Sequence, residues 1–122
     1  MNNNEYIKNK LYSLSKSKFR SSFHLNNKMK EYVDNKGLDK IRSDAYDFIN
    51  KRIAPSIIPN DGKQTPMRQV HPVFIAQHAC ACCCRGCLEK WYHIEKGREL
   101  TKEEVDRIVD ILMEWIKIQK VN

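Results

Sequence analysis

The stretch TKEEVDRIVDILMEWIKIQ, residues 101–119, decides the fold. Thr101 and Glu104 stand three positions apart at its start, the spacing of a capping box in which each side chain accepts the other's backbone N–H. Val105, Ile108, Val109, Leu112, Trp115 and Ile116 then recur at the three- and four-residue intervals of one helix face. A helix with so wide an apolar stripe needs partners, and the rest of the chain supplies helices rather than strands.

Reading back from residue 101, a short helix is expected over residues 84–92, with Trp91 as its core anchor. Pro72 suits the first turn of another helix, because its missing N–H would be unpaired there in any case. Val73, Phe74, Ile75 and Ala76 are too continuously apolar for periodicity to decide. Gln77, His78 and Ala79 extend them without a turn residue, which favours a helix. Residues 54–70 read as a long loop, with Pro55, Pro59, the turn Asn60-Asp61-Gly62, and Pro66. A further helix over residues 38–53 places Leu38, Ile41, Ala45, Phe48 and Ile49 on helical spacing before Pro55 ends it. Gly37 stops the helix before it, which Asn26 or Asn27 can cap. The first helix begins after Asn4 with Ile7, Leu11 and Leu14, and the Ser/Lys-rich residues 13–22 end or interrupt it. The expected fold is all-α, a bundle of about five helices with a long central loop and a Cys/His-rich segment.

The chain's 122 residues, 41% hydrophobic, suit one small domain with one core and argue against disorder. That domain is expected to span residues 1–122, with basic N-terminal helices over 1–53, the loop over 54–70, the Cys/His segment over 71–93 and the C-terminal helix over 101–119. No apolar run approaches the ~20 residues of a membrane helix. The polar start Met-Asn-Asn-Asn-Glu lacks a signal-peptide core. A cytoplasmic setting follows, where thiols stay reduced.

Lys and Arg number 22 against 15 Asp and Glu, a net charge of +7. The excess is concentrated at the front, since residues 1–52 hold twelve Lys/Arg and six Asp/Glu. Between Glu5 and Glu31 there is no acidic residue, and Tyr12, Phe19 and Phe23 lie among the cations. Cations displace counterions from phosphates and rings stack on bases, so Lys16, Lys18 and Arg20 are candidate nucleic-acid contacts. A solvated helix face with its aromatics turned inward accounts for the same pattern. Lys63 and Arg68 in the loop could hold an anion or simply be solvated. A phosphate loop is excluded: the upstream glycine is absent and Gln64 follows Lys63.

All five cysteines fall within eight residues, Cys80, Cys82, Cys83, Cys84 and Cys87, and His71, His78 and His93 flank them. Cys84-x-x-Cys87 has the spacing of half a zinc site, in which a tight turn presents two thiolates; Arg85-Gly86 suits that turn. His71 and His78 could complete a Zn2+ site with Cys84 and Cys87, and Cys83 is an alternative ligand. The metal would pin the 54–70 loop. Thiols packed as small hydrophobes and thiols acting in redox or nucleophilic chemistry are the competing readings. The zinc-deaminase pattern fails, because no Glu stands two residues after His71 or His78.

Several stretches resemble one uncharacterised family of small bacterial and phage proteins, domain of unknown function four-one-eight-six. They are residues 17–20 (SKFR), 37–53 (GLDKIRSDAYDFINKRI), 60–68 (NDGKQTPMR), 71–79 (HPVFIAQHA), 83–91 (CCRGCLEKW) and 96–101 (KGRELT). The resemblance implies no activity. It singles out His71, Gln77, His78, Cys83, Cys84, Arg85, Cys87 and Trp91 as motif positions, while Cys80 and Cys82 depart from the motif.

The expectation is therefore a metal-stabilised domain that binds nucleic acid or an acidic protein. The alternative is a small enzyme using His71, His78, Cys83, Cys84, Cys87 and Arg85 for metal-assisted hydrolysis or thiol chemistry. In it His78 is the base, Cys83 or Cys84 the nucleophile or a ligand, and Arg85 the anion stabiliser.

Overall fold

The computed structural model describes residues 2–121. Seven helices follow in order: α1 (Asn3–Ser15), α2 (Lys18–Ser21), α3 (Asn27–Lys36), α4 (Leu38–Arg52), α5 (Pro72–Ala79), α6 (Arg85–Tyr92) and α7 (Lys102–Val121). No strand occurs among the described residues, so the fold is all-α. The helix number exceeds the expected five or so partly because Ser17 interrupts the basic stretch. Its side chain accepts the Arg20 N–H and starts the separate α2.

Local chemistry sets most boundaries. Asn2 and Asn26 cap α1 and α3 by accepting the N–H groups of Glu5 and Met29. Gly37 joins α3 to α4 at φ +84°, a conformation that strains any residue with a Cβ. Thr101 and Glu104 form the reciprocal box at the start of α7, at 3.1 and 2.8 Å.

Helix α7 is the axis of the bundle and packs on α4, α5, α1 and α3. Its Ile108, Ile111, Leu112 and Ile116 meet Ile41 and Ile49 of α4 and Ile75 of α5 in one core. All eight residues of α5 are buried. This explains the missing periodicity at residues 73–76: a helix enclosed on every side has no polar face to alternate with. Among the described residues no helix is long and apolar enough to cross a membrane.

Candidate metal centre

The cysteine run lies where α5 gives way to α6. Cys80 caps α5, and Ala81 adopts a left-handed φ of 58°. The Cys82 N–H then returns to the Gln77 carbonyl at 2.8 Å. This reversal sends the chain from the core to its rim within three residues. Cys84 is fully extended and serves as the N-cap of α6, its Sγ accepting the Cys87 N–H at 3.4 Å. Asp61 of the loop reaches the same helix end, where its two carboxylate oxygens accept the N–H groups of Arg85 and Gly86 at 2.9 and 3.0 Å. The first turn of α6 is thus fixed from two sides, and the Cys84–Cys87 turn with it.

Three sulfurs converge there. Cys83 Sγ and Cys84 Sγ stand 3.5 and 3.4 Å from Cys87 Sγ. All three lie within 4.8 Å of one another, so the cluster could hold a metal ion. Arg20 of α2 closes over it. Its guanidinium donates to Cys87 Sγ at 3.0 Å, to Cys83 Sγ at 3.7 Å and to the His78 carbonyl at 2.7 Å.

This arrangement sorts the protons. Hydrogen bonds from Cys83 and Cys84, and then from Arg20, draw the Cys87 pKa far down, so Cys87 carries the thiolate. Donating to its neighbours, and burial, push the Cys83 pKa up. Burial works against the charge of Arg20, yet its bonds to Cys83 and Cys87 leave its pKa raised. A cation, a helix N-terminus and two S–H donors around one sulfur favour thiolate chemistry.

The family described as Domain of unknown function (DUF4186) matches residues 8–117. The chain belongs to this family. The matched span runs from α1 into α7 and includes Arg20 and the three clustered cysteines. No solved structure matches the chain.

The proposed four-residue set of His71, His78, Cys84 and Cys87 does not assemble. Cys84 and Cys87 meet as anticipated, and Cys83, held as an alternative, is the third member. Neither histidine joins them among the described residues. His71 caps α5: its Nδ1 accepts the Val73 N–H at 3.0 Å, and Nε2–H therefore donates to Asp44 at 3.0 Å. Burial lowers its pKa despite the Asp44 carboxylate, so the ring is neutral at pH 7. His78 Nε2 donates to the Thr65 carbonyl at 3.0 Å, and its ring stacks on Phe23. Their roles are those of hydrogen-bonded core histidines.

Arg85 also faces elsewhere. It is 2% exposed and donates to the carbonyls of Ile53, Pro55 and Glu95, fastening the start of the loop and the segment after α6 to α6. Thr65 adds a second fastening: its hydroxyl donates to the Cys83 carbonyl at 2.8 Å and accepts from Gln77. The expected metal bridge from His71 to the 84–87 turn is replaced by these polar clasps. Lys16, Lys18, Lys63 and Arg68 are exposed, but Arg20 is buried against the sulfurs and is not free for a phosphate. Spacing could not have found Arg20 as their partner, since more than sixty residues separate them. The only hint was the match at residues 17–20, where Ser17 sets the register of α2.

Cys80 and Cys82 are fully buried. Burial raises both pKa values, that of Cys82 to about 12. They pack as small apolar groups beside Tyr92.

Proposed function

We propose that the chain is a cytoplasmic, zinc-stabilised helical domain that binds nucleic acid or another acidic partner through its basic N-terminal half. One observation carries the metal: three sulfurs already 3.4–3.5 Å apart around Cys87. Tetrahedral bonds of ~2.3 Å to zinc place thiolates ~3.8 Å apart, so the two separations from Cys87 need to open by only a few tenths of an ångström. Such close packing suits one ion better than a multi-iron cluster, whose ligands are spread over separate irons. Three thiolates on Zn2+ sum to −1, which Arg20 offsets at hydrogen-bond distance. A solvent or partner donor would take the fourth position. The N-H donor to Cys84 Sγ and the locked α6 turn preorganise two of the three ligands.

Five unpaired cysteines accord with a reducing compartment. The partner half rests on the net charge of +7 and its concentration before residue 52. The enzyme reading has less support: the His78 ring is engaged with the Thr65 carbonyl and Arg85 with three other carbonyls, so the nominated base and anion stabiliser do not face the sulfurs.

Native mass spectrometry of the purified chain tests the metal. One zinc per chain is expected, absent from Cys83→Ser, Cys84→Ser and Cys87→Ser and retained in His71→Ala and His78→Ala. An apo mass for the parent chain would refute it. The partner half predicts binding to an oligonucleotide or an acidic polypeptide that weakens steeply with salt.

A further inference from the structure

A groove of about 420 Å³ runs between α1, α2 and the end of α7. Leu11, Leu14, Phe23, Ala79, Trp115 and Ile118 form its apolar surface. Leu14 and Ala79 are the floor, each 3% exposed, while Ile118 at 42% and Tyr12 at 64% stand open on the rim. Phe19, 53% exposed, extends the wall by packing edge-on against Phe23. Adjoining apolar side chains open to solvent around a concave floor suit a contact site.

Four of the polar side chains lining the groove are already engaged. Gln119 accepts the Leu25 N–H, Ser15 and Ser21 donate to carbonyls one turn back, and Arg20 turns to the sulfurs. Leu14 and Ala79 offer the floor no polar side chain, so apolar side chains fit it best. The rim is different. Lys8 lies on the same stripe of α1 as Leu11, Tyr12 and Ser15, Lys16 stands over the Tyr12 ring at 4.8 Å, and Lys18 starts α2. Elsewhere Lys40, Lys51 and Lys102 are paired with carboxylates four residues away. Among the described residues no ion pair engages Lys8, Lys16 or Lys18, and no acidic residue occurs between Glu5 and Glu31.

We propose that this groove docks an amphipathic helix of a protein partner, with apolar anchors at i, i+3, i+4 and i+7 on the floor and Asp or Glu on the flank facing the lysines. The proposal rests on the acidic-partner reading above and narrows it to a protein segment. Charge complementarity selects an acidic flank, and the apolar floor selects a protein over a nucleic acid.

The test uses the full chain and a synthetic peptide of about 15 residues, with Leu on one helical face and Glu on the other. Fluorescence anisotropy should show it binding about tenfold or more tighter than a twin carrying Lys for Glu. Ile118→Glu and Lys16→Glu, both at exposed positions, should each weaken binding about tenfold with helicity unchanged. Equal affinity for the two peptides, or indifference to Ile118→Glu, would overturn the groove. So would a stable dimer in light scattering that blocks the peptide, since a second copy would then be the occupant. Binding of a single-stranded oligonucleotide that displaces the peptide and ignores Ile118→Glu would remove the groove but keep the acidic-partner reading. One zinc per chain with neither ligand bound would remove both and leave the metal site standing.

Discussion

The cysteines at 80 and 82 and those at 83, 84 and 87 are neighbours in sequence and opposites in chemistry. The first pair is sealed in the core, with thiol pKa values pushed up by burial. The second group sits at the start of α6, where Arg20, a helix end and two S–H donors make a thiolate of Cys87. One left-handed residue, Ala81, turns the chain between Cys80 and Cys82, just ahead of the second group. Residue type and proximity in sequence therefore say little about a cysteine; the direction in which the backbone leaves a turn says more.

The largest test of this contrast is loss of the ion. Cys87→Ser should abolish zinc binding in native mass spectra and forfeit the stabilisation the ion supplies, ~2.7 kcal/mol at a hundredfold excess over Kd. That corresponds to a Tm lower by about 10 °C. Cys80→Ala and Cys82→Ala should keep one zinc per chain. Zinc lost from Cys82→Ala would break the division between the two groups.

The arginines divide in the same way. Arg85→Ala leaves the carbonyls of Ile53, Pro55 and Glu95 without their donor. It should cost about 2 kcal/mol in urea unfolding without changing zinc stoichiometry. Arg20→Ala should instead raise the Cys87 pKa, read as a shift to higher pH of the rate profile for alkylation by iodoacetamide in the zinc-free protein, because it removes a hydrogen bond to the thiolate. If Arg85→Ala has that effect and Arg20→Ala does not, the roles assigned to them are reversed.

Cys82 and Cys87 also give opposite dependences on pH in chelator-treated protein. Cys82 titrates at about 12 in the fold against an ordinary value of 9.0. Below pH 9 it is protonated folded or unfolded, and its contribution is complete. As pH rises through 9 the unfolded chain loses the proton first, and stability falls until about 12. By pH 10 the loss should be about 1 kcal/mol, and Cys82→Ala should flatten that slope. Cys87, with its pKa drawn down, contributes most above pH 9 and loses that contribution as pH falls. Urea midpoints in reducing buffer at pH 7, 9 and 10 would show whether the alkaline limb follows Cys82.

The smallest effect is expected at Gly86. A Cβ there would meet Asp61 and Lys96 at ordinary contact distances of 3.5–3.7 Å, and the backbone is not in the left-handed region. Gly86→Ala should be neutral or stabilising by about 0.5 kcal/mol with zinc retained. A large loss would mean that the Cys84–Cys87 turn needs glycine after all.

Much of the fold is legible because its signals are local. The caps at Asn26 and Thr101, the stop at Gly37 and the helix start at Pro72 each depend on residues within one turn. The loop over 54–70 is marked by its own prolines. The site is only half legible. Cys84-x-x-Cys87 is a local motif and its two sulfurs meet. The two histidines have no such local constraint, and each found a closer partner: a backbone N–H with Asp44 for His71, and the Thr65 carbonyl for His78. Burying an imidazole requires that its nitrogens be satisfied, and the nearest polar group wins.

By itself the sequence determined an all-helical chain, its capped boundaries, a basic front half and a thiol pair poised on one turn, because helix periodicity, capping and turn geometry act over a few bonds. Tertiary structure decided which thiols share a centre, that Arg20 rather than Arg85 attends them, and that polar clasps from Asp61, Thr65 and Arg85 hold the loop. Those choices depend on segments tens of residues apart meeting in one core, where the need to satisfy buried charges and hydrogen-bonding groups selects partners that no spacing along the chain records.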